Sequence, residues 1–185
     1  MKDPLDFSGG KAMKNRLLLC LLFLFVLSLL QTSCFVPRYI WPQGNIQKDQ
    51  LNNPSLEKKV LVASRRSDFK DAVVEKIKEA FRGEPVYVKF IGIDELKKEA
   101  AGDYSAVVLI STCIAWKLDR HVNDFLNDQH DQSNVIVLTT SGDGDWLPKK
   151  NGRNYDAISS ASQPARVADV ADSIIEKIHT ILDVE

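Results

Sequence analysis

From residue 59 onward the chain alternates short apolar runs with amphipathic ones. Lys59-Val60-Leu61-Val62-Ala63 and Val86-Tyr87-Val88-Lys89-Phe90-Ile91 are short and rich in β-branched and aromatic residues, which predicts strands. Ala106-Val107-Val108-Leu109-Ile110 and Asn134-Val135-Ile136-Val137-Leu138 are apolar without alternation, the pattern of parallel strands buried on both faces. Tyr155-Asp156-Ala157-Ile158-Ser159 reads as a shorter fifth strand. Between the first two runs, Phe69, Val73, Ile77 and Phe81 recur on one face, with Lys and Glu on the others. That spacing predicts an amphipathic helix, capped by Ser67 or Asp68 and ended by Gly83 and Pro85. A short helix is expected over 95–100 and another over 117–127. A last one follows Ser160–Pro164, with Val167, Val170, Ala171, Ile174, Ile175, Ile178 and Ile181 as its apolar stripe.

Strands that alternate with helices predict an α/β domain, a parallel sheet with right-handed crossovers and helices on both faces. Five strands suit an open sheet of order 2-1-3-4-5, in which ligands bind where loops leave the carboxyl ends of the strands. Two such loops stand out, Ser111 to Trp116 after the third strand and Thr139 to Asp145 after the fourth.

Upstream, the pattern changes. Leu17 to Leu30 is apolar except for Ser28, follows Lys11, Lys14 and Arg16, and is closed by Gln31-Thr32-Ser33-Cys34. A basic segment before an apolar run of about 14 residues matches a secretory signal; a spanning helix needs roughly 20. Met13 is the more usual start for such a signal, which makes Met1 to Ala12 an upstream extension. Cysteine after small residues at the end of the run resembles a bacterial lipoprotein signal, which implies lipidation at Cys34. An uncleaved anchor and an ordinary secreted protein are the alternatives. All three put the domain in the bacterial cell envelope, on the periplasmic or extracytoplasmic side. Residues 34–58, with Pro37, Pro42, Pro54 and Gly44 and no apolar period, read as a linker. The expected division is therefore 1–33 extension and signal or anchor, 34–58 linker, and 59–185 folded domain.

Net charge −1 gives no electrostatic reason for a nucleic-acid partner. Three cysteines are too few for a disulfide framework.

The order of elements and three of the loops resemble the flavodoxin family. Asp103-Tyr104-Ser105-Ala106-Val107-Val108-Leu109-Ile110 is similar to the approach to that family's third strand. Ser111 to Trp116 and Thr139 to Asp145 stand where its flavin-contacting loops lie. The resemblance covers 59–182 and implies a flavodoxin-like fold. It also implies FMN as cofactor, with Ser111, Thr112, Trp116, Thr140, Ser141, Gly142 and Gly144 around the ring and Ser64, Arg65, Arg66 and Ser67 around the phosphate. One loop departs from the family. Its phosphate loop is rich in hydroxyls and glycine, whereas this chain has Ser64-Arg65-Arg66-Ser67-Asp68-Phe69. Loss of the glycine disfavours close backbone approach to phosphate, although Arg65 or Arg66 could still neutralise an anion beside the following helix.

Other chemistry is thin. Cys113 lies just past a strand, but its spacing to Arg120 and the lack of glycine between them do not suit a phosphatase loop, and no base stands near in sequence. Asp143 and Asp145 lack the further oxygens and distal acid of a calcium loop. His121, His130 and His179 are isolated. Lys149-Lys150 with Arg153 makes a small basic patch. No catalytic residue is assigned and no metal is expected. The reading from sequence is a membrane-tethered domain of non-catalytic type, binding a small molecule or protein partner with its cofactor lost. The alternative is an FMN-dependent electron-transfer protein or NAD(P)H/quinone reductase.

Overall fold

The computed structural model describes residues 19–23, which are helical, and 43–183. These fall in separate units, 1–42 and 43–185, of which the second carries the sheet. Its elements are β1 (Asp49–Leu51), β2 (Lys59–Ser64), α1 (Asp68–Phe81), β3 (Tyr87–Gly92), β4 (Ala106–Thr112), α2 (Arg120–Asp128), β5 (Val135–Ser141), β6 (Asp156–Ala161) and α3 (Val167–Asp183). They form an α/β fold around a six-stranded, mostly parallel sheet of order β1-β3-β2-β4-β5-β6.

The five strands expected from sequence are β2 to β6, all parallel and in the expected order 2-1-3-4-5. Period two along each strand divides the core into two layers. Val60 and Val62 of β2, Val108 and Ile110 of β4 and Ile136 and Leu138 of β5 pack against α1 and α3. Leu61, Ala63, Val107, Leu109, Val135 and Val137 face α2 and the loops beside it.

The sixth strand was not expected. Residues 34–58 read as linker, yet β1 pairs antiparallel with β3, Asp49 opposite Phe90 and Leu51 opposite Val88. The anchor is Asn52, held in the left-handed region at φ 64°. Its amide donates to the carbonyls of Phe81 (2.8 Å), Glu84 (3.1 Å) and Val86 (2.7 Å) and accepts from the Gly83 N–H at 3.3 Å. Polar side-chain bonds of that kind leave no trace in hydrophobic period.

Three further boundaries move. The helix expected over 95–100 is a 3-10 helix, Ile93–Lys98. The helix expected over 117–127 begins at Arg120, because Asp119 caps it by accepting from the His121 N–H at 2.9 Å. Ser160 and Ala161 belong to β6, and a 3-10 turn at Pro164–Arg166 leads into α3.

Candidate functional site

In a sheet of this order the strand sequence reverses between β2 and β4, and the crevice beyond their carboxyl ends is where ligands bind. Here that crevice is filled by the chain itself. On the α2 face, Arg65 leaves β2 and its Nε donates to Asp119 Oδ2 at 2.8 Å, both side chains being nearly buried. Its Nη1 donates to Asn45 Oδ1 (3.1 Å) and to the Gln43 carbonyl (3.4 Å), and its Nη2 lies 3.2 Å from His121 Nδ1. Burial alone would push the Asp119 carboxyl up; the Arg65 hydrogen bond and charge, with the His121 N–H, bring it below the ordinary value instead.

The segment before β1 lies across the same loop as a strap. The Arg66 N–H donates to the Gly44 carbonyl at 2.7 Å, and the Ile46 N–H donates to the Ser64 carbonyl at 3.3 Å. Asn45 bridges antiparallel to Arg65, and its Oδ1 also accepts from the Ile93 N–H at 3.0 Å. A Cβ on Gly92 would stand 2.6 Å from the Asn45 Cβ, so glycine there is what seats the strap. Ser64 Oγ donates to the Arg65 carbonyl at 2.8 Å, and Ser67 Oγ caps α1 by accepting from the Lys70 N–H at 3.3 Å. Arg66 is exposed and pairs with Asp71 at 3.2 Å.

On the α1 face the crevice holds Lys70, 2 % exposed. Its Nζ donates to Thr112 Oγ1 at 2.6 Å, and Thr140 Oγ1 donates to the Ser111 carbonyl and to Thr112 Oγ1, each at 3.3 Å. Desolvation lowers the Lys70 ammonium to about 8, against the raising effect of Asp71. Register places Ser111 beside Thr139 on the opposite face, and their buried hydroxyls have no partner among the described residues.

The open space lies further along the sheet edge. The chain leaves β4 in a two-residue turn, with reciprocal 3.1 Å hydrogen bonds between Ile114 and Lys117. Its central residues, Ala115 and Trp116, both sit at positive φ, 50° and 61°. The turn presents Trp116 at 77 % exposure. Across from it, the segment between β5 and β6 carries Trp146 and Leu147. Together with the start of α2 they wall a cleft of about 600 Å³. Lys117, Arg120, Lys149 and Arg153 supply its charges, and among the described residues no carboxylate lines it.

The residues expected to contact a ligand thus separate into four groups. Ser64, Arg65 and Ser67 are committed within the chain and Arg66 points to Asp71. Ser111, Thr112 and Thr140 form the polar end of the sheet. Trp116 alone lines the cleft. Ser141 Oγ accepts the Gly144 N–H at 3.0 Å, and Gly142 stands in open space. At φ 80°, Gly144 lies so near β6 that a Cβ would meet the Ala161 nitrogen at 2.3 Å; its glycine serves close packing with a strand. Cys34 lies outside the described residues.

Arg120, Asn123 and the 146–153 segment were not singled out from sequence as ligand contacts. The Lys149-Lys150 and Arg153 patch was the one visible signal for them. Cys113 is half-buried and its thiol is pushed up, burial outweighing the hydrogen bonds from the Trp116 and Lys117 backbone, so it is no ready nucleophile. Among the described residues no group of three or more His, Cys, Asp or Glu is placed to hold a metal ion. No described helix is long and apolar enough to cross a membrane.

FMN can be tested against this geometry. Its phosphate needs free amides and hydroxyls after β2, but the Arg66 N–H and the Ser64 hydroxyl already donate within the chain, and Ser67 Oγ accepts from the Lys70 N–H. The residues present therefore fit an FMN phosphate poorly at this loop, which has no glycine and gives two of its donors to the chain.

No family model matches this chain, and no curated protein matches it either. Among solved structures it is similar to an oxidoreductase from Corynebacterium diphtheriae. The likeness has a TM-score of 0.50 at 13 % identity and covers 71 % of this chain and 100 % of that one. At that identity the likeness is one of fold, an α/β domain on a mostly parallel sheet shared with an oxidoreductase.

Proposed function

We propose that residues 43–183 form a flavodoxin-like domain that works without FMN, as a non-catalytic module for a small molecule or partner. The observation that carries this reading is the strap. Gly44, Asn45 and Ile46 bond to Ser64, Arg65 and Arg66, the residues that a phosphate would otherwise engage. Burial raises the Cys113 thiol above its ordinary value, which disfavours it as a nucleophile. Fold likeness alone does not carry an activity.

A second reading, an FMN-dependent oxidoreductase, draws support from the oxidoreductase fold relative. The unpartnered hydroxyls of Ser111 and Thr139 also favour a ligand near the end of the sheet. One experiment separates the two. The full-length chain is purified in detergent, loaded with excess FMN, dialysed, and scanned for flavin absorbance and for NADPH oxidation. The first reading expects no retained flavin and no oxidation above the protein-free control. Stoichiometric flavin that survives dialysis would establish the second reading in its place.

A further inference from the structure

We infer that the cleft between the Trp116 turn and the 146–153 segment binds a small planar aromatic anion. This deepens the ligand-binding reading above and rests on it. Within residues 43–183, Trp116 and Leu147 are the large hydrophobic side chains left exposed, at 77 % and 54 %, and both line this one cleft. Exposed apolar surface gathered in a concavity marks a binding site far more than scattered residues do. Its volume of about 600 Å³ suits a ligand of two or three fused rings.

The display of Trp116 adds a second, independent argument. Two consecutive central residues at positive φ call for glycine or asparagine, yet the chain has Ala115 and Trp116 there. A bulky residue in that region is strained, and this one gains no burial in return. Strain held at an exposed indole points to a role for the indole outside the fold.

Charge fixes the ligand's sign. Arg153 is held by neutral groups, its Nη2 donating to Asn123 Oδ1 at 3.0 Å and to Asn127 Oδ1, so its head is oriented while, among the described residues, it makes no ion pair. Among the described residues Lys117 and Lys149 make no ion pair, and Arg120 has only the exposed Asp124 at 3.5 Å. An aromatic ring against the indoles with a carboxylate or phosphate toward Arg153 satisfies both features at once. The site is separate from the closed loop after β2, since Ser64 to Ser67 line no part of it.

The test uses 2-naphthoate and 1-naphthyl phosphate as probes, with 2-naphthalenemethanol and cyclohexanecarboxylate as the neutral and the non-aromatic controls. Binding to the full-length chain in detergent is read by equilibrium dialysis. The proposal expects saturable binding of at least one probe anion, half-saturated below about 0.1 mM, and at least roughly tenfold weaker binding of both controls. The ranking of carboxylate against phosphate identifies the anionic group. Arg153→Gln should weaken the anion about tenfold and leave the neutral control unchanged. Trp116→Gly should raise the thermal midpoint, because glycine relieves the strained turn, and yet lose binding about tenfold. No saturable binding of either anion, equal binding of the controls, or undiminished binding by Trp116→Gly would overturn the proposal. Such a failure with no flavin retained removes this cleft as the site and leaves the FMN-free reading standing. Retained flavin removes that reading itself.

Discussion

Lys70 shows how a single residue can be costly where it sits. Helical spacing assigns it to the solvent side of α1, yet it is buried, with Thr112 Oγ1 as its hydrogen-bond partner at 2.6 Å. A buried ammonium without a carboxylate on it is disfavoured, which is why its pKa falls to about 8. The sign of the pH effect follows. The folded state binds fewer protons than the unfolded chain, so the penalty is full below about pH 8 and is relieved as pH rises toward the unfolded value of 10.5. Lys70→Met keeps the buried stem and removes the charge. It should stabilise the protein at pH 7 by on the order of 2 kcal/mol. In urea melts at pH 7 to 10, the wild type should gain on the variant as pH rises. A Lys70→Met variant less stable than wild type at pH 7 would mean that the ammonium serves the fold. Asp119 behaves oppositely. Its lowered pKa adds stability above the unfolded carboxylate range, lost only as acid protonates it away from Arg65.

Among the elements, the run from Gln43 to Asn52 was the least legible and the most consequential. Its composition reads as linker, polar, without apolar period and flanked by Pro42 and Pro54. What orders it are the side chains of Asn45 and Asn52, each bonding to backbone far away in sequence. Such bonds have no local signature. Asn52→Ala would strip its amide from three carbonyls and one N–H. It should cost about 2–3 kcal/mol and speed amide exchange in β1 and at the end of α1. A loss under about 0.5 kcal/mol would show that β1 is held by its pairing with β3 alone. The parallel strands β2, β4 and β5, by contrast, were readable because their signal is local: unbroken apolar runs are satisfied when buried on both faces of the sheet.

At the scale of the molecule, order of strands and place of ligand part company. The 2-1-3-4-5 order was legible and puts a crevice beyond β2 and β4. That crevice is filled on one face by Arg65 with Asp119 and on the other by Lys70 with Thr112. The cleft beside Trp116 stands further along, between the β4–α2 turn and the β5–β6 segment. Of the residues a flavin resemblance nominates, Trp116 reaches it and the glycine-rich loop after β5 does not. Gly144 is occupied in packing on Ala161. The departure Ser64-Arg65-Arg66-Ser67 in sequence was the readable half of this change. The strap that completes it was the hidden half, because it enters from a segment that carries no pattern.

We propose that ligand binds in the cleft beside Trp116 rather than at the loop after β2. This is tested most directly by following backbone and indole N–H resonances of the full-length chain in detergent while 2-naphthoate and then 1-naphthyl phosphate are added. Saturable shifts are expected at Trp116, Lys117, Asn123 and the 146–153 segment, with Ser64 to Lys70 unmoved. Shifts centred on Ser64 to Lys70, with the Trp116 indole silent, would contradict it.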